Sequence, residues 1–168
     1  LLLSIKEAIM KKIFLTILLI MSVFMSTCFA KEPVISSDSK TFNPLTGVYE
    51  LTGHVYVELE SQGQPIIIKG DHAKVMVYNL EVHADKNISL TFGKLNFLCD
   101  NVDVYIGDKT AFVNGNCKFK DDRITSTSNK GSYNWQSKLA VFSGDVKLNG
   151  SPVDGDVKYN VENGKIEK

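Results

Sequence analysis

Imidazoles, thiols and carboxylates do most protein chemistry, and this chain holds few of them in usable patterns. Its three histidines, His54, His72 and His83, alternate with apolar neighbours, which predicts a solvated face for each. None stands in a metal-ligand spacing such as His-x-x-x-His, so no metal site is expected. The sequence holds no Gly-x-Ser-x-Gly, no phosphate-cradling glycine loop and no Cys-x-x-Cys. Glu58 with Glu60, and Asp121-Asp122, fall on an outward strand face or in a turn. Glycoside cleavage needs two carboxyls at a set separation, and nothing here favours one pair. The expectation is a non-enzyme without a cofactor.

The first thirty residues read as an address. Met10-Lys11-Lys12 is a short positive region, Ile13 to Met25 is apolar apart from Thr16 and Ser22, and Cys28-Phe29-Ala30 ends in a small-residue cleavage pattern. A spanning helix needs roughly 20 apolar residues, and Ser26-Thr27 interrupt this run, so a cleavable signal peptide over 1–30 is favoured and the exported chain starts at Lys31. Leu1 to Ile9 precede a natural Met-Lys-Lys start and read as a start-codon misassignment. Cys28 as a lipid acceptor is disfavoured because Met25-Ser26-Thr27 lacks the usual small Gly or Ala.

Of the 19 basic and 19 acidic side chains, three Lys and one Glu lie in residues 1–30, which leaves 16 against 18 in the exported part. That is one domain of nearly neutral chain. With no basic run to neutralise phosphates, nucleic acid is excluded as a partner. Two cysteines remain after the signal, Cys99 and Cys117. In an oxidising compartment they could form one disulfide, or stand as two small buried hydrophobes.

The elements that would hold any site are strands. The apolar period is two in Val55-Val57-Leu59, Ala73-Val75-Val77, Val82-Ala84, Ile88-Leu90-Phe92 and Val102-Val104-Ile106. Turn signals separate the runs: Asn43-Pro44 with Thr46-Gly47, Gln62-Gly63-Gln64-Pro65, Gly107-Asp108, Asn149-Gly150-Ser151-Pro152 and Asn163-Gly164. After Ala30 no amphipathic helix pattern occurs. Gly107 as first of two central residues predicts a type II′ hairpin, pairing Val104 with Ala111 and Val102 with Val113. That register sets Asn116, not Cys117, opposite Cys99, which favours the unbonded reading.

An internal repeat underlies the alternation. Phe42, Tyr78, Tyr105, Tyr133 and Tyr159 each precede a turn, and the tyrosines are spaced by 27, 28 and 26 residues. A second anchor follows the first four: Gly53-His54-Val55, Asn87-Ile88, Gly115-Asn116-Cys117 and Gly144-Asp145-Val146. Strand-turn-strand units of this size must stack to bury their apolar faces, which predicts an all-β jellyroll or solenoid.

Ile67-Ile68-Lys69-Gly70-Asp71-His72-Ala73, followed by Tyr78, and the recurring Gly-x-Val resemble the OstA-like repeat of lipopolysaccharide-transport proteins over roughly residues 36 to 168. The length and signal fit the periplasmic, LptA-like bridge branch of that family. Thr125-Ser126-Thr127-Ser128 departs from the family's apolar-acidic repeat start and leaves the strand register before Tyr133 open. The resemblance implies a partly open, V-shaped β-jellyroll domain over 31–168 that carries lipopolysaccharide by its lipid A part. It also implies head-to-tail strand pairing into homo-oligomers and with LptC-like and LptD-like export components. A buried methylene contributes about 0.8 kcal/mol, so an inward row of aliphatic side chains suits acyl chains. The candidate lining is Val55, Val57, Leu59, Ala73, Val75, Val77, Val102, Val104, Ile106, Val113, Phe119 and Val146, any of which could equally be ordinary core.

Exposed strand edges would serve partners through unpaired backbone groups, with Val34 to Phe42 nominated at one end and Val157 to Ile166 at the other. Three alternatives stay open: an LptC-like component that keeps its hydrophobic anchor, a structural β-solenoid with a filled interior, and polysaccharide binding through Trp135 and Tyr133.

Overall fold

The computed structural model describes residues 33–167. The signal-peptide reading, its cleavage point and Cys28 lie outside the described residues.

Among the described residues thirteen strands, linked by short turns, carry the fold. They are β1 (Val34–Ser36), β2 (Ser39–Asn43), β3 (Val48–Ser61), β4 (Gln64–Met76), β5 (Glu81–Phe92), β6 (Leu95–Tyr105), β7 (Thr110–Lys120), β8 (Thr125–Asn134), β9 (Leu139–Ser143), β10 (Lys147–Leu148), β11 (Ser151–Pro152), β12 (Val157–Asn160) and β13 (Ile166–Glu167). All pair antiparallel in one sheet of order β1-β3-β4-β5-β6-β7-β8-β9-β12-β13, with β2 beside β3 and β10 between β8 and β11. Sequential neighbours pair and the sheet does not close, so it is the solenoid-like, jellyroll-type stack expected from the repeat. Period-two alternation drives this arrangement: inward residues bury and outward ones stay wet, as in Val55, Val57 and Leu59 against His54 and Glu60.

Each long strand is broken midway. The ladder shifts register between Thr52 and Val55 of β3, Lys69 and His72 of β4, Asp85 and Ile88 of β5, Leu98 and Asn101 of β6, and Asn114 and Cys117 of β7. Such bulges bend a strand. Every strand from β3 to β8 thus has two arms, a first arm carrying Leu51, Val75, Val82, Val104, Ala111 and Tyr133, and a second carrying Val57, Ile68, Leu90, Phe97, Phe119 and Ser126. The glycine anchors found in the sequence are these corners. Gly115 has a φ of +79° and a Cβ there would strike the Asp100 side chain, so the corner admits only glycine without movement. Side chains sixteen residues apart clasp across the corners: Asn87 donates to Asp71 at 2.6 Å, Asn116 to Asp100 at 2.7 Å and Asn129 to Asp145 at 2.8 Å, while His54 Nδ1 lies 2.7 Å from Asp38.

Three sequence expectations change. Val104 does pair with Ala111 and Val102 with Val113, but through a four-residue loop, 106–109. There the positive φ falls on Lys109 rather than Gly107, so the turn is not type II′. Past the bulge the register moves to Leu98 with Lys118, because β7 carries one extra residue, and Cys117 takes the place opposite Cys99 that an unbroken ladder gives Asn116. The tyrosines are not equivalent rungs either. Tyr133 and Tyr159 are inward and buried, whereas Tyr78 sits 67% exposed in a turn and Tyr105 points outward from β6.

One apolar core runs between the two arms. Toward the N-terminal strands it is aliphatic. Toward the C-terminal strands Phe97, Phe119, Tyr133, Trp135, Phe142 and Tyr159 dominate it.

Candidate functional site

The twelve candidate lining residues all belong to this core. Ten are buried, and Val77 and Ile106 are partly buried against it. The bulges place them on two arms: Val55, Val57, Leu59 and Phe119 on second arms, and Ala73, Val75, Val102, Val104 and Val113 on first arms. Val146 follows the corner at Gly144. The twelve, eleven aliphatic side chains and Phe119, therefore form part of one packed apolar core.

Where the arms meet, a repeated backbone position forms one lip. Val77, Ile106, Trp135 and Val161 each follow the end of a strand. Their N–H groups donate to the carbonyls of Gly47, Leu80, Lys109 and Lys138 at 2.9, 3.1, 3.0 and 2.9 Å. Trp135 is the bulky member, and its Nε1–H donates to Ser61 Oγ on the end of β3 at 3.0 Å, both groups being buried. Its ring stacks on Phe92 of β5 at 5.6 Å, and Phe92 also meets Tyr133 edge-on. Ser61, Phe92 and Leu95 end second arms and form the opposing lip.

Further along the stack the arms are fastened by charge. Tyr159 OH donates to Asp121 Oδ2 at 2.5 Å, and Arg123 donates to the carbonyls of Val161 at 3.3 Å and Glu162 at 3.1 Å. Burial works against the Asp121 charge. The hydrogen bonds from Tyr159 and from the Ile124 and Arg123 N–H groups outweigh it, and the carboxyl lies below its ordinary range. Burial, and then the Asp121 carboxylate, push the Tyr159 phenol up to about 12. Sequence reasoning missed this fastening, because the partners lie far apart along the chain and meet only when the arms fold together.

At the N-terminal end the inward face is less covered. Lys40 pairs with Leu51 and Phe42 with Tyr49, so both β2 side chains continue the inward rows. Phe42 is 44% exposed. Pro33, Ile35, Lys40, Phe42, Tyr49 and Val77 line a pocket of about 380 Å³ there, with the Lys40 ammonium 5.8 Å over the Tyr49 ring.

The remaining candidates separate cleanly. Cys99 and Cys117 are free, buried thiols whose Sγ atoms lie against the carbonyls of Asn101 and of Asn129. Burial pushes them up to about 12 and about 11, which leaves both protonated and unreactive. Trp135 is 1% exposed and Tyr133 3%, so neither offers a ring face to a sugar, and the polysaccharide platform is withdrawn. His72 and His83 line a polar cleft of about 850 Å³ on the outer sheet face. Its side chains pair with one another, as His83 Nδ1 with Asp103 at 2.5 Å and Lys74 with Glu50 at 3.1 Å. Among the described residues no group of three His, Cys, Asp or Glu could hold a metal ion. Ser126 and Ser128 of β8 point inward and are buried, and Ser126 Oγ has no partner. That settles the register left open before Tyr133: Tyr133 faces Ala111 and Ser126 faces Phe119.

The nominated edges lie at the two ends of the strand order. β1 and β2 flank β3 at one end. At the other, Val157 and Tyr159 of β12 are fully buried between β9 and β13, so the terminal strand is the short β13 rather than the whole segment from Val157 to Ile166.

No protein-family model matches the chain, and no curated protein does. Among solved structures, the chain is similar to LptH of Pseudomonas aeruginosa, described as the LptA-homologous periplasmic component of the conserved lipopolysaccharide transport device. The likeness has a TM-score of 0.60 at 14% identity and covers 81% of this chain and 92% of that one. It is a likeness of fold.

Proposed function

We propose that the chain is a periplasmic carrier that binds lipopolysaccharide by its lipid A part, shields the acyl chains between its two arms, and bridges inner- and outer-membrane export machinery. The observation that carries the reading is an apolar interior running along an unclosed, one-sided sheet from Val55 of β3 to Val146 after β9. Such a stack can be parted between its arms without breaking a backbone ladder, because the arms are joined by side chains and corners rather than by strand pairing. Each methylene received into it contributes about 0.8 kcal/mol, so several acyl chains outweigh the packing they displace. The twelve residues from Val55 to Val146 named above are the proposed lining, and residues 1–30 the export signal. The fold likeness to a lipopolysaccharide-transport component supports the same assignment. LptC-like and LptD-like components, and further copies of the chain, would add to the β1–β2 and β13 edges.

A second reading, a structural solenoid without lipid, draws on the close burial of ten lining residues in one core. Incubation with lipopolysaccharide followed by gel filtration separates the two. The carrier re-isolates with lipid A in fixed ratio; protein that elutes folded and lipid-free is the solenoid, and the carrier reading falls.

A further inference from the structure

To reach the aromatic part of the interior an acyl chain must part a rung whose lips are tied, and the ties differ in strength. At the C-terminal end the arms are tied by Tyr159 to Asp121 and by Arg123 to two carbonyls, hydrogen bonds in which one partner is ionised. At Trp135 the hydrogen bond across the lips is between two neutral groups, Nε1–H and Ser61 Oγ. Neutral bonds are about half as strong as charge-assisted ones. Ser61 and Phe92, at 8% exposure each, are among the least covered members of an otherwise sealed interior. Trp135 occupies the lip position that Val77 and Ile106 fill with small, partly exposed side chains, so swinging the indole aside would turn a sealed rung into one like theirs.

Resting on the carrier reading, we propose that Trp135, Ser61 and Phe92 form the portal through which a saturated acyl chain enters the interior, with the indole as the chain's first aromatic contact. The hydrogen bond holds the portal shut while the interior is empty of lipid. When the chain passes, the indole leaves Ser61 and stays against hydrocarbon, so its N–H is without its partner only while the portal is open.

Trp135 is the single tryptophan of the chain, which makes the portal its own reporter. The purified chain is mixed with dibromostearate or with unbrominated stearate, and indole emission is followed in time. Bromine on the chain quenches the indole by contact, so quenching by the brominated acid alone is the expected result. In Ser61→Ala the bond is gone and uptake should be about 5-fold faster, the equivalent of about 1 kcal/mol, with the final extent of quenching unchanged. A Thr127→Ala control on the outer face should leave the rate as it is. The carrier reading is tested separately by crosslinks from Val75 and Val104. If these capture lipid while Trp135 is not quenched, or if Ser61→Ala leaves the rate unchanged, the portal is overturned and the carrier stands. If they capture nothing, both are overturned.

Discussion

The two ends of the stack are built from one repeat and finished differently. In the N-terminal strands the interior is Val, Ile, Leu and Ala, the lip is Val77 and Ile106, and a pocket with Lys40 at its rim lies at the end of the inward rows. In the C-terminal strands the interior is aromatic and the arms are tied by Tyr159 with Asp121 and by Arg123, while Trp135 reaches from the end of β8 back to Ser61 on β3. Aliphatic side chains slide past one another with little angular preference, whereas stacked and edge-on rings hold set geometries. The difference teaches that a sealed interior need not be uniformly rigid: the same backbone can carry a deformable end and a fastened one.

The sharpest way to break this contrast is truncation of the fastening. Trp135→Ala removes a fully buried indole that joins β8, β5 and β3, and should lower stability by about 3–5 kcal/mol, read as a fall in the urea midpoint. Val75→Ala at the aliphatic end removes two methyls and should cost about 2 kcal/mol. Equal losses would mean that the two ends are held alike. Tyr159→Phe comes next, at roughly 1.5–3 kcal/mol for a hydrogen bond to a charged group. The sign with pH is fixed by Asp121. Its folded carboxyl lies below the ordinary 3.8, so its contribution is present above that pH and is lost as pH falls through the lowered folded value. Wild type should therefore show an acid-induced loss of stability that Tyr159→Phe blunts, and an unchanged acid limb would contradict the role.

Ser126 offers the opposite sign. Its hydroxyl is buried without a partner, so Ser126→Ala should stabilise the aromatic end by about 1 kcal/mol, measured by thermal melting. The smallest effect belongs to the N-terminal edge, where His54 and Asp38 replace the Asn–Asp clasps of the other corners. The hydrogen bond and charge of Asp38 raise the His54 pKa above 6.5. Its contribution is thus complete below pH 6.5 and is lost as pH rises through the raised folded value. The hydrogen-exchange protection factor at β2, with the intrinsic pH dependence of amide exchange divided out, should fall across that window in wild type and stay level in His54→Asn, whose amide can clasp at every pH.

Much of this contrast was hidden from sequence for identifiable reasons. Strand identity was legible because an alternating run such as Val102-Val104-Ile106 admits one reading, and the corners were legible because Gly115-Asn116 and its counterparts need left-handed backbone. The register shift between Leu98 and Asn101 was not, since a single extra residue in β7 leaves the alternation of each strand intact while shifting its partner. The tyrosine spacing misled because turns of unequal length move the same residue type from the inward row to a loop. Trp135 and Ser61, 74 residues apart, meet only through the folding of one arm over the other, which no local pattern records. The inward serines of β8 broke the hydrophobic rule and so concealed that strand's register.

The central claim is that the space between the arms receives acyl chains, and photo-crosslinking tests it most directly. A photoreactive side chain is placed in turn at Val75, at Val104 and at the outward Lys74, and the purified chain is illuminated with lipopolysaccharide. Crosslinks at Val75 and Val104 but not at Lys74 are the predicted result. Folded protein that crosslinks at none of the three, or equally at all of them, would contradict it.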